Sequence, residues 1–193
     1  MNVMKTTSIM IVGVGGQGSL LASKLLGNLL TSEGYDVKVS EVHGMSQRGG
    51  SVVTYVRFGE KVYSPIIDLG EADYIVSFEK LEAARYAPYL KKGGKIITNT
   101  QEIDPMPVIT GAAQYPNGVL DELTAKGVDI EAFDALKDAE SVGSAKAVNI
   151  VLMGKLAKHL DFGEDKWISA IESTVKPQFV ELNKAAFNLG YKG

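Results

Sequence analysis

Ser8-Ile9-Met10-Ile11-Val12-Gly13-Val14-Gly15-Gly16-Gln17-Gly18 decides the fold. Its first half is a continuous apolar run of strand length, as expected for a strand buried on both faces of a parallel sheet. Its second half fits G-x-G-x-x-G. Leu21, Leu25 and Leu29 follow at four-residue intervals, which predicts a helix over 17–30 ended by Gly34. Strand, glycine turn and helix in this order give the pattern meaning. Glycines permit the sharp turn and let backbone N–H groups approach an anion at the positive end of the helix. The same glycines serve equally well for close strand–helix packing with no ligand.

Working outward, 36–42 alternates as a second strand, so 8–42 has the size of one βαβ unit. The β-rich run 51–58 and the short 62–64, joined by Gly59-Glu60-Lys61, predict a hairpin added to the parallel core. A strand over 72–78, a helix over 81–90 and a strand over 94–98 follow, the last behind a solvated Lys91-Lys92-Gly93-Gly94 turn. Three prolines, Pro105, Pro107 and Pro116, mark 104–117 as an irregular crossing. The rest reads as a helix over 119–126, a strand over 128–133 and helices over 144–160, 164–175 and 177–189. Pro177 sits at a first helical position and Gly190 at a stop. Strands alternating with helices define an α/β class: a Rossmann-like, doubly wound, mainly parallel sheet with an added β-hairpin and C-terminal helices, in one domain over 1–193.

Composition removes several function classes. A net charge of −3 leaves no general basic field for a phosphate backbone, so no nucleic-acid partner is expected. With no cysteine, a disulfide scaffold, a thiolate zinc site, a cysteine nucleophile and an iron–sulfur cluster held by the chain's own thiolates are all excluded. The uncharged stretch 6–23 is too rich in glycine to span a membrane and lacks the marks of a signal peptide, so no membrane partner and a cytoplasmic location are expected. Two histidines give neither a Ser–His–Asp set nor metal-ligand spacing. His159 is expected to meet the last carbonyls of its helix, and Trp167 with Ile168 and Ile171 to form a core face.

A second loop follows the second strand and belongs on the same edge of the sheet as the glycine turn. Glu41-Val42-His43-Gly44-Met45-Ser46-Gln47-Arg48-Gly49-Gly50-Ser51-Val52 gathers hydroxyls, an amide, an imidazole and the planar guanidinium fork of Arg48, with glycines that free the backbone to join them. Glu41 occupies the region where a dinucleotide-binding protein holds a ribose. A polar turn with Arg48 paired to a surface carboxylate is the plainer reading.

Val12-Gly13-Val14-Gly15-Gly16-Gln17-Gly18, taken with His43-Gly44-Met45-Ser46-Gln47-Arg48-Gly49-Gly50, resembles the gamma-type subunit or domain of 2-oxoacid:ferredoxin oxidoreductases. The second motif is most similar to the branch acting on indolepyruvate. Ala72-Asp73, Tyr115-Pro116 and the stretch 143–154 fall in the family's order. Ser144 departs from the family's Gly-Asn pair, which leaves its side chain without a role. The resemblance implies a subunit that is not active alone. A larger partner carries thiamine diphosphate and the iron–sulfur clusters, ferredoxin takes the electrons, and coenzyme A lies at the subunit interface. The reaction implied is oxidative decarboxylation of an aryl pyruvate to an acyl-coenzyme A. It also implies that the glycine turn does not hold NAD, so Glu41 is no ribose ligand. Under this reading Gly13, Gly15, Gly16, Gln17 and Gly18 form an anion-binding or subunit-facing turn, and Ser46, Gln47, Arg48, Gly49 and Gly50 line the shared cleft. The competing readings are a stand-alone NAD-dependent dehydrogenase and a purely structural module.

Overall fold

The computed structural model describes residues 6–43 and 50–193, with backbone only at His43. Its sheet comprises β1 (Thr7–Val14), β2 (Asp36–His43), β3 (Ser51–Gly59), β4 (Ala72–Ser77), β5 (Leu90–Asn99) and β6 (Asp129–Phe133), in the order β2-β3-β1-β4-β5-β6. All strands run parallel except β3, which is antiparallel to both its neighbours. β1 lies in the interior of the sheet, which is why its apolar run does not alternate. Ile9 and Ile11 join the core on one face and Met10 and Val12 the core on the other.

The helices are α1 (Ser19–Ser32), α2 (Lys80–Tyr86), α3 (Met106–Ile109), α4 (Val119–Ala125), α5 (Ala135–Ser141), α6 (Val148–Ala157), α7 (Glu164–Thr174) and α8 (Val180–Lys192). α1 turns Leu25, Leu26, Leu29 and Leu30 into the core with Ile9 and Ile11. Every residue of α6 is buried, and Trp167 stacks on Phe187 with ring centroids 5.7 Å apart. A Cβ on Gly190 would come within 1.9 Å of the Val151 carbonyl oxygen, and one on Gly154 within 2.2 Å of that of Phe187. These two glycines let α6 and α8 pack backbone to backbone. Gly190 is therefore a contact residue inside α8 rather than a helix stop.

The expected hairpin is corrected. β3 pairs along both edges, with β1 and with β2, so no edge remains for 62–64, which forms no strand; the Val62 N–H donates to Asp36 Oδ2 at 3.0 Å. The antiparallel pair is instead β2 with β3, joined through 44–50, and the α1 crossover from β1 to β2 spans a strand lying between them. Lys91 and Lys92 belong to β5 rather than to a solvated turn, and Lys91 bonds Asp73 Oδ1 at 2.7 Å. α5, absent from the sequence reading, starts on Asp134, whose carboxylate accepts the Lys137 N–H at 3.0 Å.

Candidate functional site

Because β1 and β2 run the same way and β3 returns antiparallel, the glycine turn and the exit of the second loop share the carboxyl edge of the sheet. The Gly15 N–H donates to the Gly50 carbonyl at 2.9 Å. Ser46, Gln47, Arg48 and Gly49 lie outside the described residues.

Within the turn the glycines divide into different tasks. Gly13 is tucked beneath Phe78 and Gln17: an added Cβ would stand 2.8 Å from Gln17 Oε1 and 3.0 Å from Phe78 Cβ. Gly15 spends its N–H on Gly50. Gly16 has φ +101 with open space around it, and Gly18 has φ +89 with Asn149 Nδ2 only 2.5 Å from where a Cβ would sit. Gln17 braces the turn. Its Oε1 accepts the Val14 N–H at 2.8 Å, and its Nε2 donates to the Phe78 carbonyl at 3.1 Å and to Gln101 Oε1 at 3.3 Å. The side-chain amide is thus committed to three protein partners.

Gly16, Gln17, Gly18, Lys146 and Asn149 line a cleft of about 440 Å³, with Leu21, Ile103, Leu136 and Val148 as its apolar walls. Asn149 Nδ2 donates to the Gly18 carbonyl at 3.1 Å and its Oδ1 accepts the Ile150 N–H at 2.8 Å, which joins the start of α6 to the start of α1. α1 has no side-chain cap and no acidic residue in its first turn. The Ser19 and Leu20 N–H groups have no acceptor among the described residues, leaving the partial positive charge of the helix end uncompensated there. Lys146, in the 3-10 turn Ala145–Ala147, adds a full positive charge. The arrangement suits an anionic group attached to an apolar body.

Behind the Ile103 wall stands Glu79, which sequence reasoning passed over, together with Tyr115, which only the family order drew into notice. Glu79 caps α2, its Oε2 accepting the Glu82 N–H at 2.9 Å, and its Oε1 accepts the Ile103 N–H at 3.2 Å and the Tyr115 hydroxyl at 2.5 Å. Burial, the hydrogen bond to this carboxylate and its charge push the Tyr115 phenol well above the ordinary range. Lys146 and Asn149 fall within 143–154, where only the family order drew notice. Glu79 and Tyr115 are 36 residues apart, so no local pattern reveals their pairing.

Glu41 lies opposite Thr54, which lies opposite Ile11. One strand intervenes, placing Glu41 about 10 Å from the glycine strand rather than about 5 Å. His159 is also corrected: its Nε2 lies 2.9 Å from Glu131 Oε2, because the ring reaches across to β6 instead of back along its helix. Trp167 is core, as expected. Among the described residues no group of His, Asp and Glu could hold a metal ion, and no helix is long and apolar enough to cross a membrane.

Comparison with known proteins places these features in one class. Residues 8–193 match the pyruvate ferredoxin/flavodoxin oxidoreductase family model, and the chain belongs to that family. It is 46% identical to indolepyruvate oxidoreductase subunit IorB of Thermococcus kodakarensis, over 98% of this chain and 96% of that one, and 45% identical to the subunit of the same name from Pyrococcus horikoshii, with the same coverage. The fold matches the gamma subunit of a keto/oxoacid ferredoxin oxidoreductase from Geobacter sulfurreducens, with a TM-score of 0.72 and 23% identity over 96% of each chain. It also matches 31% of the length of a 2-oxoglutarate:ferredoxin oxidoreductase chain from Magnetococcus marinus, over 97% of this chain, with a TM-score of 0.72 and 17% identity.

Proposed function

We propose that this chain is the gamma-type subunit of a 2-oxoacid:ferredoxin oxidoreductase that decarboxylates indolepyruvate and related aryl pyruvates to acyl-coenzyme A in the cytoplasm. The full-length identity to the indolepyruvate oxidoreductase subunits carries this reading. The chain acts as one gamma-type domain and has no activity by itself. A larger subunit supplies thiamine diphosphate, whose chemistry is to stabilise the carbanion left by decarboxylation, and iron–sulfur clusters that pass electrons to ferredoxin. The absence of cysteine supports this division of labour.

Coenzyme A is the ligand we assign to the carboxyl edge, at the interface with the larger subunit. The uncapped start of α1 and the ammonium of Lys146 suit its phosphates, and the apolar wall suits its uncharged parts. Gly16 and Gly18 shape that seat, Gly13, Gly15 and Gln17 keep the turn rigid, and Arg48 with Ser46, Gln47, Gly49 and Gly50 completes the cleft from the second loop. Replacing Lys146 or Arg48 by Ala in the reconstituted complex should raise the coenzyme A requirement by about tenfold, the size of one lost charge-assisted contact, with the aryl pyruvate requirement unchanged. Unchanged coenzyme A dependence in both variants would refute the assignment.

A further inference from the structure

Residues 102–118 leave the carboxyl end of the sheet, form the single turn of α3 and return to α4. None of them is buried, and Met106 and Ile109 stand 63% and 64% exposed. The hydrogen bonds of 104–117 fall almost entirely within the segment: Val108, Ile109, Thr110 and Ala113 donate to carbonyls of Pro105, Met106 and Pro107. Among the described residues, the hydrogen bond that leaves 104–117 is the one the Tyr115 hydroxyl donates to Glu79 Oε1, at 2.5 Å. Lys80 lies over the Tyr115 ring at 5.6 Å from its centroid.

The acceptor on the other side of this contact is unusual. Glu79 is 1% exposed, and the oxygen that takes the Tyr115 hydroxyl also takes the N–H of Ile103, a cleft wall. Next to it, the Lys80 N–H donates to the Gln101 carbonyl at 3.1 Å, and the Gln101 side chain accepts from Gln17. One buried carboxylate therefore links three things: the start of α2, the wall of the cleft and the far end of an arm that sends out no other hydrogen bond among the described residues.

We infer that Glu79 and Tyr115 are positioning residues for the cleft, with the Tyr115 hydroxyl latching the 104–117 arm so that Ile103 and Gln101 hold the wall opposite Gly16–Gly18 in place. The inference rests on the reading of the cleft as the coenzyme A seat. Neither residue touches the ligand; both act through the wall. Phenylalanine at 115 keeps the ring and its packing and removes only the donor, so it isolates the latch from the fold.

The test uses the reconstituted complex with Tyr115→Phe, Lys146→Ala and the wild type, measuring KM and kcat for coenzyme A and amide exchange across the arm. Tyr115→Phe should speed exchange across 104–114, leave α7 unchanged and raise KM for coenzyme A by roughly tenfold, since a hydrogen bond to a charged group is lost, with kcat at saturating coenzyme A retained. Glu79→Gln keeps one acceptor oxygen but turns an amide NH2 toward the Glu82 N–H or toward Ile103 and Tyr115, so it should raise KM at least as much as Tyr115→Phe. If Lys146→Ala raises KM while Tyr115→Phe does not, the positioning role is overturned and the cleft assignment stands. If neither changes KM, both fall.

Discussion

Replacing Gly18 by Ala tests the geometry of the glycine turn more sharply than any change on its surface. Two costs combine. At φ +89 an L-residue sits in the left-handed region, which costs about 1–2 kcal/mol. The new Cβ would stand 2.5 Å from Asn149 Nδ2, so the amide must move and give up its 3.1 Å bond to the Gly18 carbonyl, about 0.5–1.5 kcal/mol more. Together these come to about 1.5–3.5 kcal/mol, or a fall in Tm of roughly 3–14 °C for a chain of this size. Gly16→Ala is the internal control. Its φ is +101, yet nothing lies within 4 Å of the added methyl, so it should cost only the backbone share. Asn149→Ala should remove the steric part, making Gly18→Ala cheaper in that background by about 1 kcal/mol. Denaturant unfolding of the wild type, the three single variants and the Gly18→Ala/Asn149→Ala double variant gives these values directly. Strict additivity of the Gly18 and Asn149 substitutions, or a Gly16 variant less stable than the Gly18 variant, would mean that the Asn149 contact does not set the cost at Gly18.

Two further predictions concern charges away from the cleft. The Lys38 hydrogen bond, with the Val62 N–H next, holds the Asp36 carboxyl down to about 2 from 3.8. A lowered carboxyl contributes stability that is present above its unfolded value and lost as pH falls through its folded one, so wild-type stability should decline between about pH 4 and pH 2, and the Asp36→Asn curve should be flatter across that window. At Glu131 burial pushes the carboxyl up, but the His159 hydrogen bond and the Lys155 charge outweigh this and leave it lowered. Glu131→Gln would strand the buried Lys155 ammonium, 3.4 Å away, and should cost about 2–3 kcal/mol in urea unfolding, less than a fully buried pair because Glu131 is partly exposed. Lys155→Met, which keeps an apolar stem near Phe133, should cost under about 1 kcal/mol.

The start of the fold was legible because local patterns dictated it. The apolar run at 8–12, the glycine turn and the leucines of α1 each carry their own periodicity, and the structure places them as read. β3 was not legible in the same way. Val52, Val53, Thr54 and Val56 are all buried, a sign of a strand covered on both faces, but which strands flank it depends on pairing across the sheet rather than on neighbouring residues. α5 was missed although Asp134 offers a cap, because seven residues between a strand and Gly143 give too short a periodic signal.

The site shows the same division. That the second loop belongs on the same edge of the sheet as the glycine turn followed from strand direction, and at Gly50, the described end of that loop, the bond from Gly15 agrees with it. The task of each residue did not follow. An amide such as Gln17 can face a ligand or brace a turn, and only the positions of Phe78 and Gln101 decide for bracing. Lys146 and Glu79 arrive from segments whose sequences carry no site motif.

If this chain works only as one part of a larger oxidoreductase, purifying it with a tag from its native cells without oxygen, and measuring the mass, thiamine diphosphate and iron of the assembly, will show it. The expected result is a fixed-stoichiometry complex with one larger, cysteine-rich subunit, containing both cofactors and reducing ferredoxin with indolepyruvate and coenzyme A. A chain recovered alone that binds NADH tightly and oxidises a substrate unaided would contradict it.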